Sequence, residues 1–271
     1  MTAEAVSLPR RIVRGARTVV RRSPLGRWLE RQSQLRAVNS WTEVDEAMRA
    51  FYAALVEPGD LVFDVGANVG NRTKVFLRLG ARVIAIEPQP SCGSLLATAF
   101  RDDPRVTVVC EALGAASGEA KMKVSDASTI SSMSPNWIEA VRSSGRFATY
   151  RWNRTISVPV TTLDALMERY GVPAFIKIDV EGFEFAVLQG LSRAIRSLSF
   201  EFTPECADAG LSCVARLEAL GFSRFNYSAG ESGAFERSEW FDASTARARL
   251  ESLRGDVRTF GDVYARVEEV N

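Results

Sequence analysis

Asp64 closes the apolar run Leu61-Val62-Phe63 and opens the turn Val65-Gly66-Ala67-Asn68-Val69-Gly70. Glu87 closes a second apolar run, Val83-Ile84-Ala85-Ile86, and Pro88 turns the chain away after it. A glycine turn after one strand, with an acid at the tip of the next, is how an α/β sheet holds a nucleoside. Glu87 can accept from both ribose hydroxyls, at roughly 1.5–3 kcal/mol for each charge-assisted hydrogen bond. Gly66 is expected to let the backbone approach the ligand, and Gly70 to let the following helix pack close to the strand, with Asn68 between them. Farther along, Lys177 and Asp179 interrupt Phe175-Ile176-Lys177-Ile178-Asp179-Val180-Glu181-Gly182. Strands deep in a parallel sheet normally read as unbroken apolar runs. Burying charge costs several kcal/mol per ion unless it is paired. The two are read either as a structural ion pair or, in preference, as a site at the carboxyl end of the strand, where open α/β sheets bind ligands. Glu181 and Glu184 are expected on the first turn of the next helix, where the dipole favours anions.

Asp64 narrows the choice of nucleoside. A pyrophosphate cofactor wants backbone N–H groups and no neighbouring anion. S-adenosylmethionine has no phosphate and carries an ammonium and a sulfonium, so a carboxylate near its tail attracts by up to roughly 4 kcal/mol at about 4 Å and intermediate dielectric. Asp64 and the missing GxGxxG spacing count against a nicotinamide dehydrogenase. Methyl transfer to a hydroxyl needs a proton acceptor, worth about 10²–10⁴-fold. Asp179 is the first choice for that role and Glu181 the second, with Lys177 fixing the carboxylate. Glu111, after the third strand, is expected beside the base of the cofactor. The chain contains no histidine, which excludes Ser-His-Asp and Cys-His catalysis, histidine metal sites and a histidine base. No metal ligand is assigned. A divalent cation held by Asp179, Glu181 and Glu201 or Glu205 is the lesser reading, since oxygen ligands alone suit magnesium.

These residues need a scaffold, and the pattern supplies one. Strands are expected at 61–66, 82–87, 106–112, 174–180, 197–203 and 222–227, with a last one near 234–241. Helices are expected at 41–56, 71–79, 91–100, 163–170 (capped by Thr162), 183–191 and 211–220. Such alternation predicts an α/β fold with a mainly parallel sheet and helices on both faces. Residues 113–153 read as irregular, apart from an extended piece at 120–124. Within them Trp137, Phe147, Tyr150 and Trp152 suggest either a substrate lid or a loop anchored by aromatics.

Asp64-Val65-Gly66-Ala67-Asn68-Val69-Gly70, Glu87-Pro88, Thr162-Leu163-Asp164 and Ile176-Lys177-Ile178-Asp179-Val180-Glu181-Gly182 together resemble the FkbM family of S-adenosylmethionine-dependent methyltransferases. Ser131-Ser132 falls where that family commonly has a serine pair. Phe183 departs from the small residue expected after the glycine. The resemblance spans roughly residues 58–205. It implies a class I, Rossmann-like methyltransferase with a seven-stranded sheet, and often O-methylation of a hydroxyl on a sugar, glycan or natural product. N-methylation of a small molecule, or a non-catalytic membrane-recruited binding module on the same fold, are the alternatives.

Net charge is +1, but unevenly placed: residues 1–40 hold nine arginines and two acids. Leu8, Ile12, Val13, Ala16, Val19 and Val20 recur at helical spacing between arginines, which predicts a basic amphipathic arm over 1–40 ahead of a domain over 41–271. Ser23-Pro24-Leu25-Gly26 is expected to end that helix. The bland reading is a helix packing on the domain. Peripheral contact with an anionic membrane through residues 8–22 is the functional one, and the acidic remainder argues against nucleic acid. No apolar run is long enough to span a bilayer and no apolar leader is evident, so a cytoplasmic protein is expected, with the inner membrane face as the peripheral option. The four cysteines lack CxxC spacing and read as reduced thiols.

Overall fold

The computed structural model describes residues 24–230 and 232–268. The chain divides after Trp41 into two compact units. Residues 8–22 lie outside the described residues. In the first unit, α1 spans Pro24–Asn39. A helix thus starts where one was expected to stop, and Pro24 suits its first turn because the missing N–H has no partner there anyway. No helix among the described residues is long and apolar enough to cross a membrane.

The second unit begins with α2 (Glu43–Tyr52), which Thr42 and Asp45 close in a reciprocal capping box. Then come β1 (Leu61–Val65), α3 (Asn71–Arg78), β2 (Arg82–Ile86), α4 (Pro90–Ala99), β3 (Val106–Val109) and the short β4 (Ala112–Leu113). β5 (Gly118–Val124), α5 (Pro135–Ser143) and β6 (Arg154–Thr161) follow. The second half runs α6 (Leu163–Tyr170), β7 (Phe175–Ile178), α7 (Glu184–Gln189), β8 (Ser197–Phe202), α8 (Ala207–Ala219), β9 (Arg224–Ala229), α9 (Ala243–Ser252) and β10 (Gly261–Arg266).

Seven strands form one sheet in the order β3-β2-β1-β7-β8-β10-β9. Pairing is parallel from β3 across to β8, and β10 runs antiparallel to both its neighbours. This is the α/β, mainly parallel seven-stranded class I methyltransferase arrangement. The strand at 234–241 does not form. Phe241 makes only an isolated bridge to Phe225, and the last strand is β10, inserted between β8 and β9. A second sheet, β4-β6-β5, flanks the first. One face of the main sheet buries Phe63, Ile176, Ile178, Leu198 and Phe200 against α6, α7 and α8. The other packs Phe175 edge-on to Tyr52 of α2 and Phe76 of α3.

This topology places the site. The chain leaves β1 toward β2 and β3 on one side, and later adds β7 and β8 on the other. Strand order reverses between β1 and β7, and the crevice outside their carboxyl ends is where an open α/β sheet takes a ligand. Asp64 and Lys177 are register partners across that pair.

Candidate functional site

At the tip of β1 the Asp64 side chain is buried, and Thr73 Oγ1 on α3 donates to its Oδ2 at 2.6 Å. Burial pushes the Asp64 carboxyl up, against the opposing effects of Thr73 and Lys177. The turn after it is fixed by two hydrogen bonds, from the N–H groups of Gly66 and Ala67 to Ile86 O at 2.9 and 3.0 Å. Gly66 has φ +83°, and a Cβ there would lie 1.8 Å from the Asp179 carbonyl oxygen. Its bare side therefore admits the end of β7 rather than a ligand, although its backbone still lines the cavity. Gly70, φ +96°, faces Phe100 and Leu96 instead of the strand, so it brings α3 close to α4 and stands outside the cavity lining.

Glu87 at the end of β2 is buried. Its Oε2 accepts from Asn68 N at 2.9 Å and its Oε1 from Gln89 N at 2.8 Å. Those two bonds aim the carboxylate and leave further lone pairs for a ligand. Burial outweighs them and pushes Glu87 up to about 7. Glu111 goes elsewhere: its carboxylate pairs with Arg169 on α6 at 3.1 Å, and it does not line the cavity.

Across the crevice, Lys177 Nζ lies 2.6 Å from Asp179 Oδ2. The two members differ sharply in setting: the lysine side chain is 4% exposed and the aspartate 38%. Burial alone would depress the ammonium, but Asp179, Asp262 and Tyr52 together hold it above the ordinary lysine range. The lysine stays charged and fixes a carboxylate that faces the cavity.

Glu181 is not on a helical turn. It sits at φ +55° in the link before α7, which starts only at Glu184. Three contacts dictate this. Ser132 Oγ donates to the Glu181 carbonyl oxygen at 2.6 Å. Glu184 Oε1 accepts from the backbone N–H groups of Val180 and Gly182, both at 3.1 Å. Gly182, φ +86°, lies against the Trp137 ring, where a Cβ would come within 2.3 Å. Burial pushes the Glu181 carboxyl well up, reinforced by Asp179 and Glu184, and raises Glu184 to about 7.

The aromatics Trp137, Phe147, Tyr150 and Trp152 pack on one another and stand outside the cavity lining. Trp137 on α5 is buried, and its Nε1 donates to Thr203 Oγ1 at 3.1 Å. Trp152 Nε1 donates to Ile130 O at 2.7 Å, and Arg146 and Glu205 form a half-buried ion pair at 2.7 Å. The sequence held a sign of α5 that the irregular reading passed over: Ser134-Pro135, then Trp137, Ile138 and Val141 at helical spacing.

One cavity thus gathers Asp64, Gly66, Asn68, Glu87, Lys177, Asp179 and Glu181 from strand ends far apart in sequence. Its wall beside β4 is apolar, from Ala112, Leu113, Met122 and Met133. Sequence reasoning named none of those four as lining, nor Arg72. The chemistry fits S-adenosylmethionine: acceptor-only carboxylates suit a ribose diol and an ammonium, and the apolar wall suits a flat base. It does not suit a pyrophosphate, which would meet Asp64 at the turn after β1.

Residues 64–223 match the methyltransferase FkbM domain. The chain belongs to that family. A relative of the chain, the hexuronic acid methyltransferase AglP of Haloferax volcanii, is 28% identical over 147 residues, covering 53% of this chain and 55% of that one. The chain therefore matches about half the length of this curated relative. Among solved structures, precorrin-6y C5,15-methyltransferase from Geobacter metallireducens aligns with TM-score 0.44 at 11% identity, covering 81% of this chain and 87% of that one. Fibrillarin from Aeropyrum pernix, solved with natively bound S-adenosyl-L-methionine, aligns with TM-score 0.42 at 11% identity, covering 78% and 68%.

Proposed function

We propose that this FkbM domain methylates a hydroxyl of a sugar or glycan unit, with S-adenosylmethionine as donor. The observation that carries the reading is the Lys177–Asp179 pair, an exposed carboxylate fixed by a buried cation inside the cavity that suits the donor. When bound, the donor supplies an electrophilic methyl group on a sulfonium. Glu87 holds the ribose hydroxyls, Asp64 attracts the ammonium, and the apolar wall of Met122 and Met133 takes the base. Asp179 accepts the proton of the acceptor hydroxyl, or orients that hydroxyl, and Lys177 keeps its carboxylate in place. Alignment of the two reacting groups supplies much of the rate, since proximity alone can be worth roughly 7–11 kcal/mol. The charged pair in the cavity favours this reading over a non-catalytic binding module. The name of the relative AglP suggests a uronic acid unit as the first acceptor to test.

Methyl-labelled donor incubated with uronic acid glycosides and neutral hexosides is expected to label a sugar, and the label should survive mild alkali as an ether does. An alkali-labile label would mean esterification. A carboxylate acceptor carries no proton at neutral pH, so that result would remove the role given to Asp179. Label appearing only on amines would make the protein an N-methyltransferase.

A further inference from the structure

We propose that Asp179, Glu181 and Glu201 form a binding site for one divalent cation, Mg²⁺ or Mn²⁺, at the acceptor end of the cavity. Each of the three offers a carboxylate oxygen, and these atoms lie within 4.8 Å of one another. All three residues line the cavity, so a bound ion would keep open positions toward it.

A second observation points to a missing partner. Glu201 Oε2 is closed off from solvent and receives no hydrogen bond. The groups acting on it are further acids: Glu181, Asp179, Glu184 and Asp262. Two neighbouring cations are committed to other acids. Lys177 is bound to Asp179 Oδ2, and Arg146 to Glu205. That second pair also removes Glu205 from the ligand set. A buried carboxylate needs a charge partner, and a divalent ion between three carboxylates supplies one.

The donor set selects the ion. All ligands are hard carboxylate oxygens, which suit Mg²⁺ and Mn²⁺ over metals that prefer imidazole or thiolate. Three carboxyl groups, one of them already held by Lys177, favour a cation over a neutral guest. Ser132 and Glu184 hold the Val180–Gly182 link that presents Glu181. An ion there would receive the acceptor oxygen and ease its deprotonation beside the donor. This deepens the methyl-transfer reading, but binding of the ion is read without donor or acceptor, so one can fail while the other stands.

The test uses Mn²⁺ alone with the full chain, followed by the electron paramagnetic resonance signal of free Mn²⁺ and by thermal melting. Wild type is expected to remove one Mn²⁺ per chain from the free signal and to melt higher with the ion. Excess Mg²⁺ should return the Mn²⁺ to solution. Glu201→Gln is expected to bind at least tenfold more weakly and to lose the Mn²⁺-induced rise. Its melting temperature without metal should equal or exceed that of wild type, because the substitution removes an unpartnered buried charge. Two results would overturn the site: no Mn²⁺ uptake by folded wild type at millimolar metal, or equal uptake by Glu201→Gln. If the three acids instead share protons without a metal, the first of these is seen.

Discussion

Asp179→Asn is expected to lower kcat by roughly 10²–10⁴-fold, the usual worth of a positioned proton acceptor. Affinity for S-adenosylhomocysteine should change by less than about threefold. Asn keeps the size of the side chain and one oxygen able to accept from Lys177. It removes the negative charge and the ability to take a proton. The groups assigned to the cofactor, Glu87 with its Asn68 and Gln89 donors and Asp64 with Thr73, are held by other elements. They should not notice the change. Some stability will be lost, since Lys177 is left buried opposite a neutral partner. Single-turnover rates beside calorimetric binding separate the roles. Turnover near wild type would remove Asp179 from the chemistry. A parallel loss of turnover and cofactor affinity would make it a cofactor-binding or structural residue.

The second large effect is on folding. Gly66→Ala is expected to destabilise the protein by at least about 3 kcal/mol, from a non-glycine residue in left-handed backbone and a severe overlap. The new methyl would point at the Asp179 carbonyl, 1.8 Å away, at a left-handed φ of +83°. Neither side can yield cheaply. Gly66 N is tied to Ile86 O, and Asp179 N to Val65 O at 2.9 Å, so the clash is between two backbones already fixed in the sheet. For a domain of this size the loss corresponds to a fall in Tm of roughly 6–12 °C. Gly145→Ala is the control: φ is +87° there too, but a Cβ would meet nothing within 4 Å. Its cost should stay near the roughly 1–2 kcal/mol of the left-handed conformation alone. Equal Tm shifts in the two variants would show that close approach of β1 and β7 is not what requires Gly66.

Much of the site could be read from sequence because charged residues stand out against buried parallel strands. Asp64 and Glu87 end apolar runs, and Lys177 and Asp179 interrupt one. All four line the same cavity. What escaped depends on contacts between distant segments. Glu111 is drawn off by Arg169, 58 residues away, which no local pattern announces. Glu181 leaves the helix because Ser132, Trp137 and Glu184 hold the link before α7, and two of those three come from the stretch read as irregular. β10 reaches β8 and β9 only after the helix Ala243–Ser252, so the nearer segment at 234–241, with Phe235, Trp240 and Phe241, looked the better strand. Gly66 was expected to let a ligand approach and Gly70 to let α3 pack on the strand, but the atoms that crowd them belong to Asp179 and to Leu96 and Phe100 at α4. A glycine in a sequence says that something comes near, not what.

The most direct test of the central claim is calorimetric titration with S-adenosylhomocysteine, beside NAD, at pH 6 and pH 8. The sign of the pH effect follows from Glu87. Its carboxyl titrates near 7 in the folded protein, and ribose hydroxyls donate to the charged form. Binding should therefore tighten as pH rises through about 7, by roughly tenfold between the two conditions, with proton release at the lower pH. Micromolar binding of S-adenosylhomocysteine, none of NAD, and a loss of about 10²–10⁴-fold together with the pH slope in Glu87→Ala are the results the account predicts. Folded wild-type protein that binds no S-adenosylhomocysteine, or a Glu87→Ala variant that binds it as wild type does, would contradict it.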